Sequence, residues 1–109
     1  MSDDPEREVL SIEAKRDRFG VTLSLAGEFD IAGTERFRAF VNEALAAHPK
    51  AVTIDTGGLE FIDSSGLQAL LHAHDAATEA GVAFRVSDPS PEVRRILALF
   101  GVEDLLTNG

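Results

Sequence analysis

The sequence predicts a single α/β domain built on a mixed β-sheet, with an N-terminal antiparallel hairpin, parallel β-α-β units and about three to four helices. Three observations support this fold class. Short segments with strand-like alternation are interleaved with longer segments of helical periodicity. Glycine and proline residues fall between those segments. The 109 residues contain neither an internal repeat nor a linker, so we expect one domain at residues 9–109 after a flexible tail at residues 1–8.

The first two strands are expected to form the hairpin. Apolar residues are sparse in residues 10–16, which is typical of an edge strand. Val21, Leu23 and Leu25 alternate with polar residues, which predicts a half-buried strand. Gly20 marks the turn between the two.

The next helix and strand introduce the parallel part of the sheet. A helical stripe predicts the helix, with Thr34 as its N-cap and Pro49 beyond its end. The stripe consists of Phe37, Phe40, Val41, Ala44 and Leu45. Residues 51–55 read as a central strand covered on both faces, and a turn is expected at Gly57 and Gly58.

The remaining elements follow the same logic. Leu67, Leu70, Leu71 and His74 predict a second helix. Gly81 is well placed to end that helix, and residues 83–87 form the next strand. Ser90 before Pro91 predicts the start of a third helix, ending at Gly101. Residues 102–109 carry no clear pattern.

Composition and charge exclude several classes of function. The chain has no cysteine, which rules out disulfides and thiolate metal sites. Its apolar runs are far shorter than the ~20 residues needed to cross a bilayer. A net charge of −9 repels nucleic-acid phosphates and anionic lipid. We therefore expect a cytoplasmic protein without cofactor or metal, and without direct contact to nucleic acid or membrane.

Two adjacent serines in the run Asp63, Ser64, Ser65, Gly66 are the first candidate functional feature. Capping of the following helix is the simplest explanation of hydroxyls at this place. Ser65 and Gln68 have the spacing of a capping box, which predicts Ser65 as the helix cap. Ser64 then lies one position outside the helix, with its hydroxyl free to face solvent.

With these elements in place, the sequence resembles the STAS domains of bacterial anti-sigma factor antagonists. The resemblance covers about residues 10–105. It depends on residues 61–67 (Phe-Ile-Asp-Ser-Ser-Gly-Leu), on Asp55 at the end of the preceding strand, and on residues 27–30 (Gly-Glu-Phe-Asp). A single STAS-like domain is therefore the expected fold.

The resemblance implies a non-catalytic switch. A partner that is both serine kinase and anti-sigma factor phosphorylates Ser64 in this family, and a PP2C-type phosphatase restores the unmodified form. The unmodified form binds the anti-sigma factor and releases the sigma factor, in stress-response or sporulation pathways. Ser65 is a secondary phosphorylation candidate, and Asp30, Asp63 and Gly66 are neighbours of the switch. Asp30 is placed to orient Ser64 for the kinase, although a turn aspartate explains it equally well. The domain is expected to be a monomer or a weak homodimer.

Two alternatives lead to other functions. An enzyme would need His72 or His74 as a base for Ser64, but these lie about 12 and 15 Å along one helix, against the ~3 Å that catalysis requires. A STAS-like domain without a switch could instead serve as a scaffold, a lipid-transport accessory or a small-ligand module. Phosphorylation of Ser64 distinguishes these roles from the anti-sigma factor antagonist.

Overall fold

The computed structural model describes residues 9–107, which form strands alternating with helices. The strands are β1 (Leu10–Asp17), β2 (Gly20–Phe29), β3 (Ala51–Ile62) and β4 (Ala83–Ser87). The helices are α1 (Thr34–Ala46), α2 (Ser64–Glu79), α3 (Pro91–Leu99) and α4 (Glu103–Thr107), with a short 3-10 helix (Ile31–Gly33) before α1. The tail predicted at residues 1–8 lies outside the described residues.

The sheet is mixed, and the strands lie side by side in chain order. β1 pairs with β2 antiparallel, whereas β2–β3 and β3–β4 are parallel pairs. The hairpin turn is held by Asp17, whose carboxylate accepts hydrogen bonds from the N–H groups of Phe19 and Gly20. The mixed sheet and the N-terminal hairpin are thus confirmed.

Burial divides the sheet into two unlike faces. The register aligns Val21, Val52 and Phe84 across the three parallel strands, and all three are buried. The opposite face is exposed or half-buried along its length, with Glu13, Lys15, Thr22, Ser24, Thr53, Asp55 and Arg85. The expectation that the strand at residues 51–55 is covered on both faces is therefore wrong. The alternation with Thr53 and Asp55 is that of a strand buried on one face only.

β3 continues through the predicted turn at Gly57 and Gly58. Ser24 pairs with Asp55 but Ala26 pairs with Gly58, so β3 carries an extra residue there, and a second register shift follows. A Cβ atom on Gly58 would lie 2.9 Å from the Cβ of Ala26. The glycine therefore serves a bulge with close strand approach rather than a turn. As a result β3 extends to Ile62, and only Asp63 separates it from the first residue of α2.

The first helix begins differently from the prediction. Asp30 caps the 3-10 helix, and α1 follows with Gly33 as its N-cap. Thr34 is already helical, and its hydroxyl donates to the carbonyl of Ile31 at 3.0 Å. The predicted N-cap at Thr34 is therefore wrong, because the chain turns once before the helix starts. The predicted apolar stripe is otherwise confirmed, with Phe37 among the buried residues.

The ends of the later helices follow the sequence signals. Gly81 has a φ of 73° beyond the end of α2, and the Val82 N–H donates to the Ala77 carbonyl at 2.9 Å. Ser90 caps α3 by accepting from the Val93 N–H at 3.3 Å. In the unassigned C-terminal segment, α4 places Leu106 in the core. Among residues 9–107, no helix is both long and apolar enough to cross a membrane.

The buried stripe of α2 allows a direct test of the core. Leu70 is 0% exposed. Leu70→Ala is expected to lower the free energy of unfolding by about 2 to 5 kcal/mol, because it leaves a cavity between α2 and the sheet. Urea denaturation measures the change. Leu99→Ala is the matched control, since Leu99 is 72% exposed and its loss should cost less than about 0.5 kcal/mol. Equal effects of the two substitutions would contradict this packing.

Candidate functional site

The junction between β3 and α2 is formed by Asp63. Its backbone is extended, with φ −110° and ψ −171°, and α2 begins at the next residue. The Asp63 carboxylate accepts a hydrogen bond from the Gly66 N–H at 3.1 Å, and its carbonyl accepts one from the Leu67 N–H at 3.0 Å. Asp63 is therefore the N-cap of α2.

Ser65 does not cap the helix, so that part of its predicted role is wrong. It is the second residue of α2 and is half-buried. An N-cap needs non-helical backbone angles, and the extended residue at this junction is Asp63. The capping box predicted from Ser65 and Gln68 is therefore not formed. The N-cap is Asp63, two residues before Ser65.

Ser64 is the first residue of α2 and is exposed. Its hydroxyl has no hydrogen-bond partner among residues 9–107. The backbone N–H groups of Ser64 and Ser65 also lack an acceptor in the described part of the chain, as expected for the first turn of a helix. Successive helical residues point about 100° apart, which accounts for the different exposure of the two serines.

The position of Ser64 is held by close contact between α2 and the end of β2. The Asp63 N–H donates to the Phe29 carbonyl at 3.2 Å. A Cβ atom on Gly66 would lie only 2.6 Å from that same carbonyl oxygen and 2.9 Å from the Ile62 side chain. Phe29 is itself fully buried and packs against Phe37, with ring centroids 5.1 Å apart. Glycine at position 66 therefore permits this approach.

Asp30 lies beside this junction because it follows Phe29 directly. Its carboxylate accepts a hydrogen bond from the Ala32 N–H at 3.0 Å and caps the 3-10 helix. Asp30 and Asp63 thus directly follow the neighbouring parallel strands β2 and β3, and each caps the helix that comes next. The structure brings together the predicted switch-site neighbours Asp30, Asp63 and Gly66 through the main chain of Phe29.

Two exposed apolar side chains that are close in sequence to Asp30 and Asp63 were not predicted from the sequence. Ile31 is 72% exposed directly after Asp30, and Phe61 is 45% exposed two residues before Asp63. In the sequence analysis Phe61 is only the first residue of the motif at residues 61–67. Its outward position follows from the second bulge in β3, which sequence periodicity does not reveal.

A groove of about 420 Å³ between α1 and α2 was also missed. It begins at the start of α2, since Ile31 and Ser65 contribute to its lining. The alanines of α2 that line it look like ordinary core positions in the sequence. Only the relative placement of the two helices shows that they leave space.

His72 and His74, the two histidines of α2, have different surroundings. His72 is exposed on α2 and lines the groove. His74 is half-buried and packs edge-on against Phe84, with ring centroids 5.9 Å apart. Within residues 9–107, no three His, Asp or Glu side chains are arranged to hold a metal ion.

Residues 12–107 match the family model described as Mlab, STAS domain. The chain belongs to the STAS-domain family. A STAS-domain containing protein of Pseudomonas aeruginosa is 33% identical over 85 residues, which are 78% of this chain and 83% of that protein. The anti-sigma-F factor antagonist RsfB of Mycobacterium tuberculosis is 31% identical over 88 residues, which are 80% of this chain and 71% of RsfB.

The STAS fold assignment is supported by a solved structure. The Bacillus cell fate determinant SpoIIAA in its phosphorylated form superposes with a TM-score of 0.69. The alignment covers 90% of this chain and 88% of that chain, at 23% sequence identity. The predicted fold class and the predicted family are therefore both confirmed.

Replacing the cap tests which residue starts α2 in this STAS domain. Asp63→Ala is expected to lower the free energy of unfolding by about 0.5 to 2 kcal/mol, because it leaves the Gly66 N–H without its acceptor. Ser65→Ala is the matched control and should change stability by less than about 0.5 kcal/mol. Thermal and urea unfolding measure both variants. A larger loss for Ser65→Ala than for Asp63→Ala would restore Ser65 as the cap.

Proposed function

We propose that this STAS domain is an anti-sigma factor antagonist that is switched by phosphorylation of Ser64. The observation that carries the proposal is the exposed hydroxyl of Ser64 at the first position of α2, without a hydrogen-bond partner in the described chain. In the unmodified form the domain binds an anti-sigma factor and thereby releases a sigma factor. The phosphorylated form does not bind.

Relatives support this choice among the roles of STAS domains. RsfB, named an anti-sigma-F factor antagonist, shares nearly a third of its aligned residues with this chain. SpoIIAA shows that the same fold occurs in a phosphorylated form. The run Asp63, Ser64, Ser65, Gly66 follows the pattern in which the first serine is the modified one.

The geometry of the helix start suits a phosphate on Ser64. The free N–H groups of Ser64 and Ser65 offer hydrogen-bond donors, and the positive end of the helix dipole favours a negative group. The capping bond from Gly66 to Asp63 does not involve Ser64 and can persist after modification. The phosphorylated domain therefore keeps its fold, and the change is confined to its surface.

The effect on a partner follows from charge. A phosphate adds about −1.5 to −2 charges beside Asp63. At about 5 Å from a carboxylate of the partner, with an effective dielectric constant of ~20, each unit of charge costs roughly 3 kcal/mol. Solvent screening reduces this energy, but half of it still weakens binding about tenfold. Ile31 and Phe61 are exposed apolar side chains that we propose add to the same binding surface.

The proposed cycle needs two further proteins. The anti-sigma factor is also the serine kinase, and a PP2C-type phosphatase removes the phosphate. This chain contributes the acceptor serine and the binding surface, so its function is that of a cytoplasmic, non-catalytic module. We also propose that Asp30 helps to orient Ser64 during phosphate transfer, although its carboxylate accepts the Ala32 N–H in this structure.

Intact-mass spectrometry after incubation with ATP and the cognate kinase tests the site of modification. Wild-type protein is expected to gain the mass of one phosphate, Ser64→Ala to gain none, and Ser65→Ala to gain it as the wild type does. The reason is that Ser64 is exposed whereas Ser65 is half-buried. Modification of Ser64→Ala but not of Ser65→Ala would identify Ser65 as the acceptor. A lack of modification by every cognate kinase would favour a STAS scaffold without a switch.

Binding calorimetry tests the charge effect directly. Ser64→Asp is expected to weaken binding of the anti-sigma factor about tenfold or more, while thermal stability stays within about 1 kcal/mol because the helix dipole tolerates the charge. Lys50→Ala is the matched control. It also makes the net charge more negative by one, but at the opposite end of β3. Normal binding by Ser64→Asp, or equal weakening by both variants, would contradict local repulsion.

A further inference from the structure

The groove between α1 and α2 has an apolar floor. It contains Phe37, Val41, Ala69, Ala73 and Ala76. The α2 side chains of this floor are all alanines, so they leave open a volume of about 420 Å³ that the α1 side chains do not fill. Small-molecule sites in proteins typically enclose about 300 to 1,000 Å³ with mostly apolar walls. The groove thus has the size and floor of such a site.

The residues that line the groove carry no negative charge, although the molecule as a whole is strongly acidic. The chain has 19 acidic residues and a net charge of −9, yet none of the residues lining the groove is acidic. Arg38 supplies the one permanent positive charge of the lining, and its guanidinium is paired with no carboxylate among residues 9–107. The amides of Asn42 and Gln68 add further hydrogen-bond donors. An apolar groove with a free cation and no anion complements a negatively charged ligand.

We propose that the groove binds a small carboxylate with an apolar tail. The tail covers the alanines of α2 and the side chains of Phe37 and Val41, which removes apolar surface from water. The carboxylate accepts charge-assisted hydrogen bonds from Arg38. This site does not depend on phosphorylation of Ser64 or on an anti-sigma factor, because its walls are formed by α1, α2 and Ile31 of the 3-10 helix, and Ser64 is not part of its lining.

Amide chemical-shift titration of the full chain tests the site, with octanoate as the probe. Octanoate is expected to cause saturable shifts in residues 34–42 and 65–76, which form the two walls. Acetate has the charge without the tail, and 1-octanol has the tail without the charge. Both should bind at least about tenfold more weakly, since each lacks one of the two contributions. Shifts that do not saturate, or that acetate produces equally, would overturn the proposal.

Two variants locate the ligand. Arg38→Gln should weaken octanoate binding about tenfold while leaving 1-octanol unchanged, because only the charged contact is lost. Arg95→Gln is the control, since Arg95 is an exposed arginine on α3 and away from the groove. Ala69→Leu should abolish binding of both molecules by filling the floor. If Arg38→Gln binds octanoate as the wild type does, the assignment of the carboxylate to Arg38 is wrong, whatever the stability of Ala69→Leu.

Discussion

The hydrogen bond from the Asp63 N–H to the Phe29 carbonyl is the contact on which the rest of the site depends. It joins the ends of two parallel strands at the point where α2 begins. Because β2 is held between β1 and β3, the carbonyl is a fixed acceptor, and the start of α2 cannot slide along the sheet. Gly66 completes the contact, since a side chain there would meet the same carbonyl oxygen. Ser64 and Ser65 are thereby held in a fixed position relative to the sheet.

Much of the fold could be predicted because its signals are local. The alternation around Leu23, the Ser90–Pro91 helix start and the glycine after α2 each depend on a few neighbouring residues. Gly57 and Gly58 were misread because glycine marks turns and strand bulges alike. The distinction lies in the pairing with β2, which is distant in sequence. Sequence periodicity therefore identified the strand but not its length.

In the candidate site, too, the features that depend on contacts distant in sequence could not be predicted. Asp63, Ser64 and Ser65 are three successive residues that can each cap a helix. The spacing of Ser65 to Gln68 favoured the third, whereas the contact with Phe29 makes Asp63 the last extended residue. Ser64 kept its predicted exposure even though the reason given for it was wrong. The groove could not be predicted at all, because it exists only through the distance between two helices.

The two serines differ because a helix turns, and this reason replaces the one based on capping. Ser64 and Ser65 point about 100° apart around α2. Ser64 is exposed to solvent, whereas Ser65 lines the groove that contains Arg38. Under the proposed function, a phosphate on Ser64 adds charge to the surface that contacts a protein partner. A phosphate on Ser65 would extend into the groove and be attracted by the guanidinium of Arg38. These two adjacent residues of α2 thus lie in two different regions. Ser64 is on a surface suited to a protein partner, and Ser65 is at a groove suited to a small anion.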